Sequence, residues 1–154
     1  MNLDDIITTD SVILHMKASS KKEALQELAH KASELSGLER REVFDILLER
    51  ERLGTTGIGG GVAIPHGKLA TLDRLRGVFA RADRPINFDS IDDRPVDLIF
   101  LLLAPESAGA DHLKALARVS RLLRDPGTCE KLRACDTKDA IFALLTQSTS
   151  LNAA

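Results

Sequence analysis

The chain has 154 residues, 44% hydrophobic and 29% charged, with a formal net charge of −2. That is enough for one domain with a sizeable core, and the slight negative charge gives no electrostatic reason to expect nucleic acid or an anionic membrane as partner. Aromatics make up 3%, with no Trp and no Tyr, so material for base-stacking platforms is scarce.

The start, Met1 to Asp5, is acidic and lacks the basic flank and apolar core of a signal peptide. Val12-Ile13-Leu14 forms a short strand candidate within 11–16. Ser20 and Glu23 fit a capping box. Leu25, Leu28, Ala29, Ala32 and Leu35 then recur at helical spacing, with Gly37 as the stop. A second helix is expected from about Glu39 to Leu53, ended by Gly54, with Val43, Ile46 and Leu47 turned inward. Next comes the small-residue loop 54–61, then Val62-Ala63-Ile64 and Pro65-His66-Gly67-Lys68.

Residues 77–82 alternate and read as a strand. Pro95 opens an apolar run that continues to Leu103 without alternation, the mark of a strand covered on both faces. Its apolar core, Leu98 to Ala104, is far too short to span a bilayer. Asp111 to Arg124 is an amphipathic helix stopped by Asp125-Pro126-Gly127, and 128–134 and 137–145 read as two closing helices. Cys129 and Cys135, six apart, match no zinc or Cys-x-x-Cys spacing and are expected to be plain reduced thiols. The tail 147–154 loses periodicity and is expected to fray. Strands alternating with helices, and one strand apolar on both sides, imply a single α/β domain over 1–154 with helices on both faces of its sheet. No membrane insertion is expected, and the chain reads as cytoplasmic.

The informative stretch is 50–68. The P-loop pattern fails there: Gly67-Lys68 supplies its last pair, but Val62 stands where its first glycine belongs, and no Ser or Thr follows Lys68. The dinucleotide pattern fails at Val62 too, and the loop follows a helix rather than a strand. The glycines are left as either an anion cradle of exposed N–H groups or a flexible connector.

His66 sits between Pro65 and Gly67, an arrangement that presents an imidazole with one accessible nitrogen. Neutral imidazole is a competent nucleophile toward phosphorus; the alternative is a loop histidine with no duty. Arg50 lies three, four and seven residues after Leu47, Ile46 and Val43, on the inward stripe near the helix end. It either caps the last carbonyls or aims a guanidinium at phosphoryl oxygens. His112 aligns with Leu116, Val119 and Leu123 at the start of its helix. It either helps hold an anion or is a partly buried histidine with a backbone partner. His15 and His30 show no such setting. No carboxylate or cysteine stands at metal-ligand spacing from His66 or His112, so no metal is expected.

The segment from Arg50 to Lys68, ending Ile64-Pro65-His66-Gly67-Lys68, resembles the active-site segment of enzyme IIA proteins of the mannitol/fructose class in the bacterial phosphotransferase system. The Gly67-Lys68 ending resembles the nitrogen-regulatory branch. Ser36-Gly37-Leu38, the segment 85–92, Pro95 to Leu98 and His112-Leu113 extend the resemblance along nearly the whole chain. It implies a mixed, mostly parallel sheet and a phosphotransferase that carries a phosphoryl group on His66 Nε2, donated by an HPr-type phosphocarrier. It also implies supporting roles for Arg50, Thr56 and His112, no cofactor, and regulated partners such as transporters or sensor kinases. A sugar-specific relay to a membrane permease and a binding module that is never phosphorylated are the competing readings.

Overall fold

In the computed structural model, which describes residues 2–153 and side chains as far as Thr146, the apolar run after Pro95 is the central strand. The strands are β1 (Val12–Met16), β2 (Gly57–Gly59), β3 (Val62–Ala63), β4 (His66–Leu69), β5 (Arg76–Ile86) and β6 (Val96–Pro105). The helices are α1 (Lys21–Ser36), α2 (Arg40–Leu53), α3 (Ala110–Leu123), α4 (Pro126–Ala134) and α5 (Lys138–Ala153). The expected fraying over 147–154 concerns residues outside the described side chains.

β6 pairs antiparallel with β5 on one edge and parallel with β3 and β4 on the other. β1 extends the sheet parallel to β5, and β2 closes it antiparallel to β3. The sheet is therefore mixed and mostly parallel.

β6 shows no alternation because both of its faces are covered. Ile99, Leu101 and Leu103 join a core that includes Leu25 and Leu28 of α1 and Val43 and Leu47 of α2. Leu98, Phe100 and Leu102 join a second core with Ala115 and Val119 of α3, Leu132 of α4 and Ile141 and Leu145 of α5. Helices lie on both faces, as the α/β reading requires.

Four local details differ from expectation. Ser20 caps α1 through the Glu23 amide, but the Glu23 carboxylate accepts from the Ser19 amide at 2.9 Å, so the reciprocal arm lands one residue early. Asp125-Pro126 does more than stop α3: Asp125 accepts the Thr128 amide at 3.0 Å and Pro126 takes the first position of α4, where a missing N–H costs nothing. β5 runs to Ile86, beyond the expected 77–82, because Ile86 re-pairs with Val96 after an irregularity that follows Arg81. Finally, two short 3₁₀ turns at Leu3–Asp5 and Thr9–Ser11 precede β1. They bury Leu3, Ile6 and Ile7, and Gly77 donates to the Ile6 carbonyl at 2.9 Å. Both cysteines are free thiols, and burial raises the pKa of each.

Candidate functional site

β3 and β4 are two pieces of one path along β6. Val62 stands beside Leu98 and His66 beside Leu102, the same offset on both sides of a break at Ile64-Pro65. At the break the Ile64 amide turns away to the Thr56 carbonyl at 2.9 Å, and Pro65 has no amide to lose. The Pro65 carbonyl still accepts from Leu102 at 3.0 Å, so pairing resumes at once. His66 is thus the first residue of a strand rather than part of a loop.

Strand alternation sets the direction of its ring. A Cβ on Gly67 would lie 2.5 Å from Ile46 Cγ2, so position 67 faces α2 and admits only glycine without a shift. His66 points to the other face, toward α3. His112 lies there, with the ring centroids 5.7 Å apart and the planes tilted by 51°. Arg50 reaches His66 from the end of α2, which packs against β4.

The imidazole's two nitrogens have different partners. Nδ1 lies 2.9 Å from the Ile64 carbonyl, which can only accept, so Nδ1 carries the hydrogen. Nε2 is left with its lone pair, and Arg50 Nε donates to it at 3.3 Å. Arg50 Nη1 donates to the Gly54 carbonyl at 2.8 Å. Arg50 therefore ties down a carbonyl just past the helix end, as the capping reading has it, and also touches the imidazole. Burial lowers the His66 pKa most; the hydrogen bond to the Ile64 carbonyl opposes it in part, the Arg50 charge lowers the pKa further, and Glu51 exerts the smallest, upward pull. The result is an oriented imidazole whose neutral form is favoured.

His112 is 7% exposed, and its Nδ1 is buried with no hydrogen-bond partner among the described residues. The backbone partner allowed for it is missing at that atom. Burial lowers its pKa, with His66 and Lys68 adding to the effect. It stands in the first turn of α3, which opens on Gly109, a residue with no side chain to cap the free amides.

Thr56 is buried, and its hydroxyl and amide both donate to the Glu51 carboxylate. Glu51 in turn accepts from Lys21 Nζ at 3.0 Å, and Lys21 also reaches Asp89 at 3.2 Å. Thr56 therefore anchors the loop to α2, with Glu51 rather than the imidazole as its hydroxyl's partner. Sequence reasoning missed Glu51. The signal was present, because Glu51 lies four residues after Leu47 and eight after Val43, on the same inward stripe that singled out Arg50.

The glycine segment is not a flexible connector. Gly57–Gly59 and Val62–Ala63 form a tight antiparallel pair. Its tip is clamped from two sides. Asp92 accepts the Gly60 amide at 2.9 Å. Arg133 of α4 donates to the Gly60 carbonyl at 3.0 Å while holding Asp97 through Nε at 2.8 Å and Nη2 at 2.9 Å.

A tautomer-fixed imidazole, contacted by a guanidinium and close to a second imidazole at the margin of a sandwiched mixed sheet, is an arrangement that a histidine phosphoryl carrier can use. Residues 5–148 match the family described as phosphoenolpyruvate-dependent sugar phosphotransferase system, EIIA 2. The chain is 58% identical over 145 residues to a nitrogen regulatory protein of Bradyrhizobium diazoefficiens, covering 94% of this chain and 95% of that one. It is 38% identical over 150 residues to a nitrogen regulatory protein of Escherichia coli K12, covering 96% and 91%. The crystal structure of the nitrogen regulatory protein IIA-Ntr from Neisseria meningitidis superposes with a TM-score of 0.90 at 36% identity, covering 94% of this chain and 99% of that one. The chain belongs to the EIIA 2 family, in its nitrogen-regulatory branch, whose members are phosphotransferases acting through a phosphohistidine. Among the described residues no helix is long and apolar enough to cross a membrane.

Proposed function

We propose that His66 Nε2 accepts a phosphoryl group from an HPr-type phosphocarrier in the cytoplasm, and that its phosphorylation state regulates partner proteins. The observation that carries this is the division of labour on one ring: Nδ1–H is fixed on Ile64 O at 2.9 Å, and Nε2 keeps its lone pair. In the transfer that lone pair attacks phosphorus. The Nε2–P bond forms as the donor's N–P bond breaks, and the donor imidazole leaves with the bonding pair.

Arg50 occupies Nε2 at rest, so the incoming phosphoryl group displaces it. Its guanidinium then turns to the phosphoryl oxygens, where charge-assisted hydrogen bonds are strongest. The His112 ring and the free amides at the start of α3 supply further stabilisation, with Thr56 and Glu51 holding the loop behind. Phosphoryl transfer asks a protein mainly for such positioning and charge stabilisation.

Protein docking at this site is supported by its apolar border. Leu53, next to the Gly54 carbonyl that holds Arg50, is 80% exposed, and Leu113, next to His112, is 67% exposed. Phosphorylation adds roughly −1.5 to −2 charge there, enough to change which surface binds. Transporters and sensor kinases are the class of partner expected. The test is incubation with a purified phosphorylated HPr-type donor, read by intact mass. One added phosphoryl group on the chain, absent in His66→Ala, is the expected result; equal labelling of His66→Ala refutes it. Co-purification with a sugar permease in place of regulated partners would instead favour a sugar relay.

A further inference from the structure

One irregularity away from the His66 site lies beside the C-terminal end of α1. A cavity of about 280 Å³ opens between the N-terminal segment, the C-terminal end of α1 and the start of β5. Ile7, Leu35, Val78 and Leu103 form its apolar wall, and Arg76 enters from β5. Arg76 pairs with Leu103, so it shares the face of the α1–α2 core, where a charge is out of place. Its Nε is buried and has no hydrogen-bond partner among the described residues. An orphaned buried donor of this kind needs an explanation, and an empty space beside it supplies one.

We infer that this cavity binds a small-molecule carboxylate, whose oxygens accept from Arg76. Guanidinium favours carboxylate through charge-assisted, often bidentate, hydrogen bonds. Asp4 and Asp5 also line the cavity, opposite in charge to Arg74 and Arg76. The two rim carboxylates offer a place for an ammonium on the same ligand. The site is separate from the phosphoryl site but mechanically close to it. His66, Leu102 and Gly77 lie in one row across three strands, which puts Arg76 about 10 Å from His66 across the sheet.

The test is methyl-labelled NMR of the intact chain, titrated separately with L-glutamate and with glutarate, which share carboxylates and differ in the ammonium. Saturable shifts at Ile7, Leu35, Val78 and Leu103 with both compounds establish a carboxylate site. Shifts with L-glutamate alone establish the same site with an ammonium contact at Asp4 and Asp5, and shifts with glutarate alone keep the carboxylate site and overturn the ammonium contact. Arg76→Gln weakens binding by about ten- to a hundredfold. Arg76→Lys, which keeps the charge but has no Nε–H, weakens it too and guards against a variant that fails to fold. No saturable shift of the wild-type cavity methyls with either compound, or equal binding by folded Arg76→Gln, overturns the inference.

Discussion

The chemistry proposed for His66 depends on which of its nitrogens is occupied. The Ile64 carbonyl fixes the tautomer, and burial with the Arg50 charge holds the pKa below the ordinary 6.5. Between that lowered value and 6.5 the unfolded chain binds more protons than the folded one. The stability this contributes is complete above about pH 6.5 and is lost as pH falls through the lowered folded value. His112, shifted the same way by its own burial, adds to the effect. Long-range ¹H–¹⁵N spectra of the imidazoles should show His66 as the Nδ1–H tautomer, with both rings titrating below 6.5. A midpoint for His66 above 6.5 would mean its surroundings have been misread. Arg50→Ala should slow phosphoryl acceptance by about a hundredfold while leaving His66 the labelled residue, as measured by rapid-quench transfer from the donor. At this scale the sequence was informative about identity and silent about contact. Pro65, the inward stripe of α2 and the register of α3 singled out His66, Arg50 and His112, and left each with a second, idle reading. That Arg50 rests on Nε2, and that His112 Nδ1 has no partner, depends on three elements meeting in space, which no local pattern records.

The elements around the site hold it by a few buried polar contacts. Glu51 gathers the Thr56 amide and hydroxyl and the Lys21 ammonium, with its side chain 3% exposed and that of Lys21 21% exposed. Glu51→Ala strands the Thr56 amide and hydroxyl, leaves Lys21 with Asp89, and should cost about 3–5 kcal/mol, the range for breaking one side of a buried pair, as seen by denaturant unfolding. Loss below about 1 kcal/mol would show the network to be solvent-compensated. The glycine hairpin makes a second case. Gly61 sits at φ +82°, and a Cβ there would lie 2.6 Å from Arg133 Nη2 and 3.1 Å from Asp97 Oδ1. Gly61→Ala should therefore destabilise by about 1–3 kcal/mol and release the hairpin tip, visible as faster amide exchange at Gly60. The helices were readable from their apolar spacing and their stops. The hairpin was not, because glycine carries no side-chain periodicity, and its order comes from Asp92, Asp97 and Arg133, which are distant in the chain.

At the scale of the whole molecule, β6 does the organising. From Leu98 to Leu103 its odd residues feed one core and its even residues the other, and this is why a strand with no alternation was a sound guide to helices on both faces. Phe100, fully buried on the α3–α5 side, is the test of that arrangement. Phe100→Ala should cost about 3–5 kcal/mol, a large part of a typical 5–15 kcal/mol, and unfolding by urea with an unchanged slope would confirm it. The ordering of the sheet was not legible, since parallel neighbours such as β1 and β5 are separated by two helices and three strands in the chain. The central claim concerns one bond. Phosphorylate the uniformly ¹⁵N-labelled chain with an HPr-type donor and record the ³¹P and imidazole ¹⁵N spectra. The account predicts a single phosphoramidate on His66 Nε2, with Nδ1–H retained. A phosphoryl group on Nδ1, or on any other residue, contradicts it.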